Sequence, residues 1–186
     1  GTKIFFMSEN FKAKFTINLT QKKNIYMIRK ATVEDIDKLI EITKACAAHM
    51  IEKNIYQWNE FYPNKKAFLK DLERDKLFVI IIDDVINGCI TISTFMEEEY
   101  IPIHWLTQNS NTLYIHRLAV NPEQQGKGYA QRLMDYAENY AKENNFASIR
   151  LDTFSQNQRN LTFYELRGYK RLGDICFPEQ SDHPYH

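Results

Sequence analysis

The sequence predicts an α/β fold with a mixed sheet, and two observations support this prediction. Apolar runs with strand character alternate with helical runs in the order β-α-α-β-β-β-α-β-α-β. The strand–helix–strand alternation in the second half implies right-handed crossovers there. Since neither a repeat nor a linker interrupts residues 27–177, we expect one domain over that range. Residues 1–26 form an extension, for which pairing with a sheet edge and partial disorder both stay open. Residues 178–186 are expected to form a polar tail.

Each element follows from local patterns. The expected strands cover residues 26–31, 77–82, 85–95, 112–120, 147–153 and 169–177, and the helices cover 33–53, 64–76, 129–144 and 160–166. Thr32 and Asp35 are spaced nearly as a capping box at the start of the first helix. Asp83-Asp84 is a hairpin signal, and Gly168 is a C-cap after the last helix. In the extension, Phe15–Leu19 alternates like a strand.

The composition argues against several classes of protein. Of the 186 residues, 44% are hydrophobic and 26% are charged, as in an ordinary globular domain. The 24 Lys and Arg residues balance the 24 Asp and Glu residues, so charge gives no case for a nucleic-acid or membrane partner. No apolar run approaches the ~20 residues that span a bilayer. Lys3–Met7 is too short for the apolar core of a signal peptide.

The cysteines indicate a reducing compartment. Cys46, Cys89 and Cys176 are far apart and include no CxxC pair. This spacing fits reduced thiols better than a disulfide framework or a zinc site. We therefore expect a cytoplasmic protein with buried structural thiols and no metal.

The most informative stretch joins the strand over residues 112–120 to the helix over residues 129–144. Between them lies Gln125-Gly126-Lys127-Gly128-Tyr129-Ala130. The first N–H groups of a helix lack partners within the helix and lie at the positive end of its dipole. Glycines permit positive φ and let a phosphate approach the backbone. The sequence therefore predicts a phosphate or pyrophosphate site, although an ordinary strand-to-helix turn is the alternative.

Two common phosphate motifs do not fit this loop. A Walker A loop needs Ser or Thr where this chain has Gly128, and a dinucleotide fingerprint needs a glycine where it has Gln131. What remains is Gln-x-x-Gly-x-Ala, formed by Gln125, Gly128 and Ala130. This pattern resembles motif A of the GNAT superfamily of N-acetyltransferases, which bind acetyl-CoA.

A second stretch carries the same resemblance. Asn157-x6-Tyr164-Glu165-Leu166-Arg167-Gly168-Tyr169 resembles the family's Asn…Tyr-Glu-Lys-Leu-Gly-Phe signature, with Leu-Arg in place of Lys-Leu. The opening from Ile28 to Ile36 is also similar to that of the family. The resemblance covers about residues 27–177. It implies the GNAT, or acyl-CoA N-acyltransferase, fold: a mostly antiparallel sheet with a splayed parallel strand pair and flanking helices.

The resemblance also implies how the acetyl donor, acetyl-CoA, is held. Backbone groups of Leu118 and Val120 would hydrogen-bond the pantetheine arm, and an N–H near Ala119 would face the thioester oxygen. Asn157 would contact the pantetheine, although an Asn just before a helix is also a natural cap. The pyrophosphate would be bound by the loop residues Gln125, Gly126, Lys127, Gly128, Tyr129 and Ala130.

Tyr164 and His116 are the expected catalytic residues. A phenol, with a reference pKa of ~10, is protonated at pH 7 and can donate to the departing sulfur. GNAT enzymes often place a tyrosine here, and a packed core tyrosine is the alternative. The strand around His116 is similar to that of arylalkylamine N-acetyltransferases, where a histidine assists amine deprotonation through water. A half-buried structural histidine is the alternative, and Glu97–Glu99 are rival bases.

The acceptor side is expected in the aromatic segment Asn54–Pro63. In the family this segment commonly lines the acceptor site, so Tyr56 and Trp58 are the expected substrate-binding residues. The acceptor is expected to be a primary amine of a small molecule. The alternatives are a non-catalytic acyl-CoA sensor and a protein or peptide acetyltransferase in which Trp58 and Trp105 frame a groove. Tyr164 favours an enzyme, because a pure binder has no use for an acid beside the sulfur. A homodimer remains open.

Overall fold

A computed structural model describes residues 2–9, 26–74 and 76–176 of the chain. Between residues 27 and 177 the expected order of elements is confirmed, with shifts at element ends only. The strands are β1 (Thr2–Ser8), β2 (Tyr26–Lys30), β3 (Leu77–Ile82), β4 (Val85–Ser93), β5 (Thr112–Val120), β6 (Ser148–Phe154) and β7 (Lys170–Cys176). The α-helices are α1 (Ile36–Ile51), α2 (Lys65–Glu73), α3 (Tyr129–Glu143) and α4 (Gln158–Leu166).

The strands form one sheet in the order β2-β3-β4-β5-β6-β1-β7. Its only parallel neighbours among the described strands are β5 and β6, and the other pairs are antiparallel. This confirms a mixed, mostly antiparallel sheet. The parallel pairing covers only Thr112–Ile115 against Ser148–Leu151, although β5 continues to Val120. The expected splay is therefore present beyond Ile115.

A bulge accompanies the splay. The register of β4 against β5 shifts between Cys89 and Thr91, and Arg117 has a φ of 48°. A positive φ is uncommon for a residue with a side chain, and a bulge bends its strand and redirects side chains. Beyond this bulge β5 no longer pairs with β6, although the Val120 carbonyl accepts from Cys46 Sγ and Gln125 Nε2, each at 3.3 Å.

The extension contributes an interior strand. β1 pairs antiparallel with β6 on one side and with β7 on the other, so it does not lie at a sheet edge. Apolar side chains on both faces of β1 suit this interior position. Ile4 and Phe6 join the main core on one face, while Phe5 packs with Tyr100 on the other. The predicted strand Phe15–Leu19 lies outside the described residues.

Helices cover both faces of the sheet. On one face α3 contributes Leu133, Met134 and Ala137 to the main core. On the other, α1 and α2 pack Leu39 and Phe68 against β3 and β4. Cys46 and Cys89 are buried free thiols, as expected. Across the described stretches of the chain, no helix has the length and apolar character that crossing a bilayer would require.

Candidate active site

The loop after β5 has the backbone shape that its sequence predicts. Gly126 and Gly128 have φ values of 81° and 82°, a region that side chains rarely adopt. A Cβ at Gly126 would meet nothing within 4 Å, so conformation rather than lack of space calls for glycine. Gly128 is the N-cap of α3 and offers no capping side chain. No N-cap side chain therefore competes with a ligand at the N-terminus of α3.

A cavity of about 380 Å³ lies between this loop and α4, and we name it the loop cavity. It brings together most of the predicted cofactor residues, namely Leu118, Val120, Gln125, Gly126, Gly128, Tyr129 and Ala130. Lys127 does not line this cavity, and its Nζ donates to Gln124 Oε1 at 2.7 Å. The geometry suits an extended anionic ligand that runs from the splayed edge of β5 to the start of α3.

A smaller neighbouring cavity of about 240 Å³ contains Ala119 and Asn157. Asn157 caps α4, because its Oδ1 accepts from the Asn160 N–H at 3.2 Å. Its Nδ2 donates to Gln57 Oε1 at 3.2 Å. Sequence reasoning missed Arg159, whose guanidinium donates to Gln125 Oε1 at 2.6 Å and lines both this cavity and the loop cavity. Arg159 places a positive charge beside the predicted phosphate site.

A third cavity, which we name the acceptor cavity, opens on the other side of Leu118 and also has a volume of about 380 Å³. It contains the predicted residues Trp58 and His116. Tyr56 lines none of the cavities described here. Leu118, Asn160 and Tyr164 line both the acceptor cavity and the loop cavity, so they form the seam between the two.

Tyr164 is only 5% exposed and packs among Phe6, Phe163 and Tyr169. Within the described part of the chain no residue hydrogen-bonds its hydroxyl. Burial raises the pKa of Tyr164 above its ordinary value. The phenol is therefore protonated at neutral pH and free to donate a hydrogen bond.

The His116 side chain lies in the floor of the acceptor cavity, and its Nε2 is buried with no hydrogen-bond partner. Burial lowers the pKa of His116 to about 4, although the nearby carboxylate of Asp152 opposes this shift. The imidazole is therefore neutral at pH 7. A neutral imidazole can accept a proton, but the lowered pKa makes it a weak base.

Asp152, whose side chain is 14% exposed, is a carboxylate that lines the same cavity, and sequence reasoning missed it. It accepts a hydrogen bond from the Tyr100 hydroxyl at 2.5 Å and pairs with Lys3 Nζ at 3.0 Å. Burial alone would raise the pKa of Asp152, but Lys3 and Tyr100 outweigh burial and hold it below its ordinary value. The signal that could have identified it was an acidic residue in the middle of a strand whose other residues are almost all buried.

A second missed pair fixes the bulge. Arg117 donates from Nε and Nη2 to the two carboxylate oxygens of Asp71, at 2.6 and 2.5 Å. The Thr91 hydroxyl donates to the same carboxylate, and Arg117 Nη1 donates to the Tyr62 hydroxyl at 2.9 Å. The pair is nearly buried, with side-chain exposures of 14% and 4%. It ties α2 and the aromatic segment to the point where β5 bends.

A fourth cavity, the outer cavity, has a volume of about 340 Å³ and contains the rival base Glu97. Glu98 is exposed, and the side chain of Glu99 is outside what the structure describes. Trp105 packs on the guanidinium of Arg150, 4.3 Å from the ring centre, and lines none of these cavities. Trp58, by contrast, lines the acceptor cavity, and the alternative in which the two tryptophans frame a groove stays a prediction.

The family model for the acetyltransferase (GNAT) family matches residues 37–169, which is more than half of the chain. The chain belongs to the GNAT acetyltransferase family. This confirms the resemblance seen in the two sequence signatures. A comparison with curated proteins gives no match.

Solved structures of this family share the fold. A GNAT family acetyltransferase from Streptococcus agalactiae has a TM-score of 0.67 at 23% identity, covering 80% of this chain and 87% of its own. One from Listeria monocytogenes has a TM-score of 0.67 at 17% identity, covering 81% and 94%. The PaiA N-acetyltransferase from Thermoplasma acidophilum, in complex with coenzyme A, has a TM-score of 0.62 at 20% identity, covering 82% and 99%.

Metal ligands are not grouped in this site. Among residues 2–9, 26–74 and 76–176, no cluster of three or more His, Cys, Asp and Glu side chains could hold a metal ion. The titratable groups of the acceptor cavity are instead paired with one another or buried without charge.

Proposed function

We propose that the chain is an acetyl-CoA-dependent N-acetyltransferase that moves an acetyl group directly to the primary amine of a small molecule. The observation that carries this proposal is the seam. Tyr164, whose hydroxyl has no hydrogen-bond partner in the described chain, lines both the loop cavity, which suits a phosphate, and the acceptor cavity, which contains a neutral imidazole. Direct transfer needs such a junction, because the two reactants must meet at one carbonyl carbon.

The residues of the loop cavity fit acetyl-CoA by their chemistry. Left-handed glycines and the N-terminus of α3 suit the pyrophosphate, with Arg159 as an additional cation. The backbone of Leu118–Val120, unpaired toward β6, suits the amide groups of the pantetheine. A backbone N–H near Ala119 is the proposed donor to the thioester oxygen, and such a donor contributes ~2.7–4 kcal/mol in other acyl-transfer enzymes. The proposed roles of Lys127, Tyr129 and Asn157 rest on the family resemblance.

In the proposed reaction, the amine nitrogen attacks the thioester carbon and the carbon–sulfur bond breaks. Tyr164 gives its proton to the departing sulfur. His116 accepts the proton that the amine loses, through water where the distance requires it. Asp152 stays charged because Lys3 and Tyr100 stabilise its carboxylate, and its negative charge favours a positive charge on His116 as the proton arrives. Trp58 is proposed to bind the acceptor through its apolar surface.

The test is a thiol-release screen with acetyl-CoA against amines, amino acids, polyamines and aminoglycosides. We expect release of coenzyme A that depends on at least one small amine. Acetyl-CoA should also raise the melting temperature, because a ligand that binds only the native state stabilises it. A melting shift without release from any acceptor would contradict the proposal and support a sensor. Release with peptide amines alone would replace the small molecule with a peptide.

The unit proposed to carry this activity is residues 27–177 together with β1. Lys3, on β1, lines the acceptor cavity and pairs with Asp152 there. Cytoplasmic location remains a proposal that rests on the three reduced-thiol cysteines.

A further inference from the structure

The acceptor cavity and the outer cavity adjoin each other. They share Lys3, Tyr62, His116, Arg117 and Asp152 as lining residues. An acceptor whose amine lies near the seam and whose chain passes these residues would place its far end in the outer cavity. What lines the outer cavity decides what the far end of that acceptor carries.

Positive charge prevails in the outer cavity. Its walls contain five cationic side chains, of Lys3, Lys66, Lys70, Arg74 and Arg117, and three carboxylates, of Asp71, Glu97 and Asp152. Two of these cations are already paired with two of the carboxylates, Arg117 with Asp71 and Lys3 with Asp152. The remaining balance is three cations against Glu97 alone.

Those three cations, Lys66, Lys70 and Arg74, form what we name the basic row. They are four residues apart along α2 and its C-cap, so they lie on one face of the helix, and all three line the outer cavity. None of them forms an ion pair with any residue that the structure describes. The Arg74 guanidinium lies 4.5 Å above the Phe95 ring, a contact that orients it without neutralising its charge.

We infer that the acceptor is an amine whose far end is anionic, a carboxylate or a phosphate, which the basic row binds. This inference rests on the proposed function and names its substrate class. The amine end points toward the seam, and the anionic end lies in the outer cavity. The row attracts such an end because its three charges face a cavity with one unpaired carboxylate. It disfavours a second amine at the same end, as in a polyamine.

The neighbouring residue Lys65 offers a matched control. It has the same charge and lies on the same helix, but its Nζ pairs with Asp37 at 3.5 Å and it lines none of the cavities described here. The Lys70→Glu and Lys65→Glu substitutions change the net charge of the protein equally. Only the first changes the charge of the outer cavity. Both lysines are exposed, so neither substitution disturbs the core.

The experiment measures coenzyme A release from acetyl-CoA with three acceptors that share a five-carbon chain: δ-aminovalerate, pentylamine and cadaverine. The expected kcat/KM is highest for δ-aminovalerate and lowest for cadaverine. Lys70→Glu should lower the ratio of δ-aminovalerate to cadaverine by roughly tenfold or more, since reversing one nearby charge changes both interactions. Lys65→Glu should leave that ratio unchanged. Added salt should reduce the wild-type ratio, because partly exposed charges are screened. Shorter and longer ω-amino acids locate the best reach, and β-alanine against phosphoethanolamine separates carboxylate from phosphate.

The outcomes separate the inference from the proposed function. Turnover of pentylamine or cadaverine at least as efficient as that of δ-aminovalerate overturns the inference and leaves the acetyltransferase intact. Equal effects of Lys70→Glu and Lys65→Glu also overturn it, because they indicate a general effect of net charge. No release with any amine overturns the proposed function, and the inference falls with it.

Discussion

The cavities on the two sides of β5 offer a ligand different chemical groups. The loop cavity is built mainly from backbone, namely left-handed glycines, the start of α3 and the stretch Leu118–Val120, which does not pair with β6. The acceptor cavity is built from side chains that are ionised or kept neutral by burial, such as Asp152 and His116. A backbone site depends on φ and on open space, whereas a side-chain site depends on pairing. The loop cavity therefore suits a cosubstrate that a whole family shares, whereas the acceptor cavity suits the selection of one acceptor.

Tyr164→Phe tests the seam where the two sides meet. Removing the hydroxyl should lower kcat by roughly 10²–10⁴-fold, the span expected for a general acid, with little change in acetyl-CoA affinity. Tyr169→Phe is the matched control, because Tyr169 packs against Tyr164 but donates to Glu138 and lines none of these cavities. Steady-state kinetics and acetyl-CoA binding check both variants. A kcat for Tyr164→Phe within a few-fold of wild type would mean that water protonates the thiolate.

Asp71→Asn tests the pairing on the acceptor side. It leaves the Arg117 guanidinium nearly buried without its carboxylate, so the free energy of unfolding should fall by about 3 kcal/mol. Asp37→Asn removes the exposed partner of Lys65 and should change it by no more than about 0.5 kcal/mol. Urea unfolding measures both. Equal small losses would show that the bulge does not need the Arg117–Asp71 pair.

His116→Gln tests burial without charge on the same side. The folded pKa of about 4 lies below the ordinary histidine value of 6.5, so the unfolded chain takes up the proton first as the pH falls. Wild-type stability should therefore decrease between pH 6.5 and about 4, by up to about 3 kcal/mol, because the unfolded state gains that protonation free energy. The stability of the His116→Gln variant should not show this part of the decrease, because the variant has no imidazole to protonate. Denaturant unfolding at several pH values measures it, and parallel curves for the two proteins would place the ring in contact with solvent.

Gly128→Asp tests the backbone side. Asp and Asn tolerate the left-handed region better than other side chains, so Gly128→Asn controls for conformation. The carboxylate should lower acetyl-CoA affinity by about tenfold more than the amide does, because it repels the pyrophosphate. Calorimetric titration and the acetyl-CoA melting shift measure this difference. If Asp and Asn weaken binding equally, the phosphates lie elsewhere.

The backbone side could be predicted from the sequence, and the acceptor side could be predicted only in part. The loop motif is contiguous, and its glycines specify φ locally, so Gly126 and Gly128 were identified with the strand and helix that flank them. The signature that contains Tyr164 is equally local. The splay of β5 from β6 was expected from the family resemblance and is confirmed by their short pairing.

The rest of the acceptor side depends on strand register and long-range pairing. Asp71 lies on α2 and reaches Arg117 only because the bulge turns that side chain toward it. Asp152 meets Lys3 because β1 pairs with β6 in a register that sets Phe5 opposite Asp152. No local pattern specifies either partner. The roles predicted for Tyr56 and Lys127 stay predictions, since neither residue lines the cavity expected of it.

The position of β1 has a consequence for how the molecule folds. β1 is made first, but its partners β6 and β7 are formed by residues 148–154 and 170–176. Loops of this length close slowly, and domains rich in such distant contacts fold slowly. During synthesis Ile4, Phe5, Phe6 and Met7, which are all buried in the finished sheet, lack both of their neighbouring strands until β6 has been made. The acceptor cavity therefore cannot be complete before β6 pairs with β1, because that pairing brings Lys3 to Asp152.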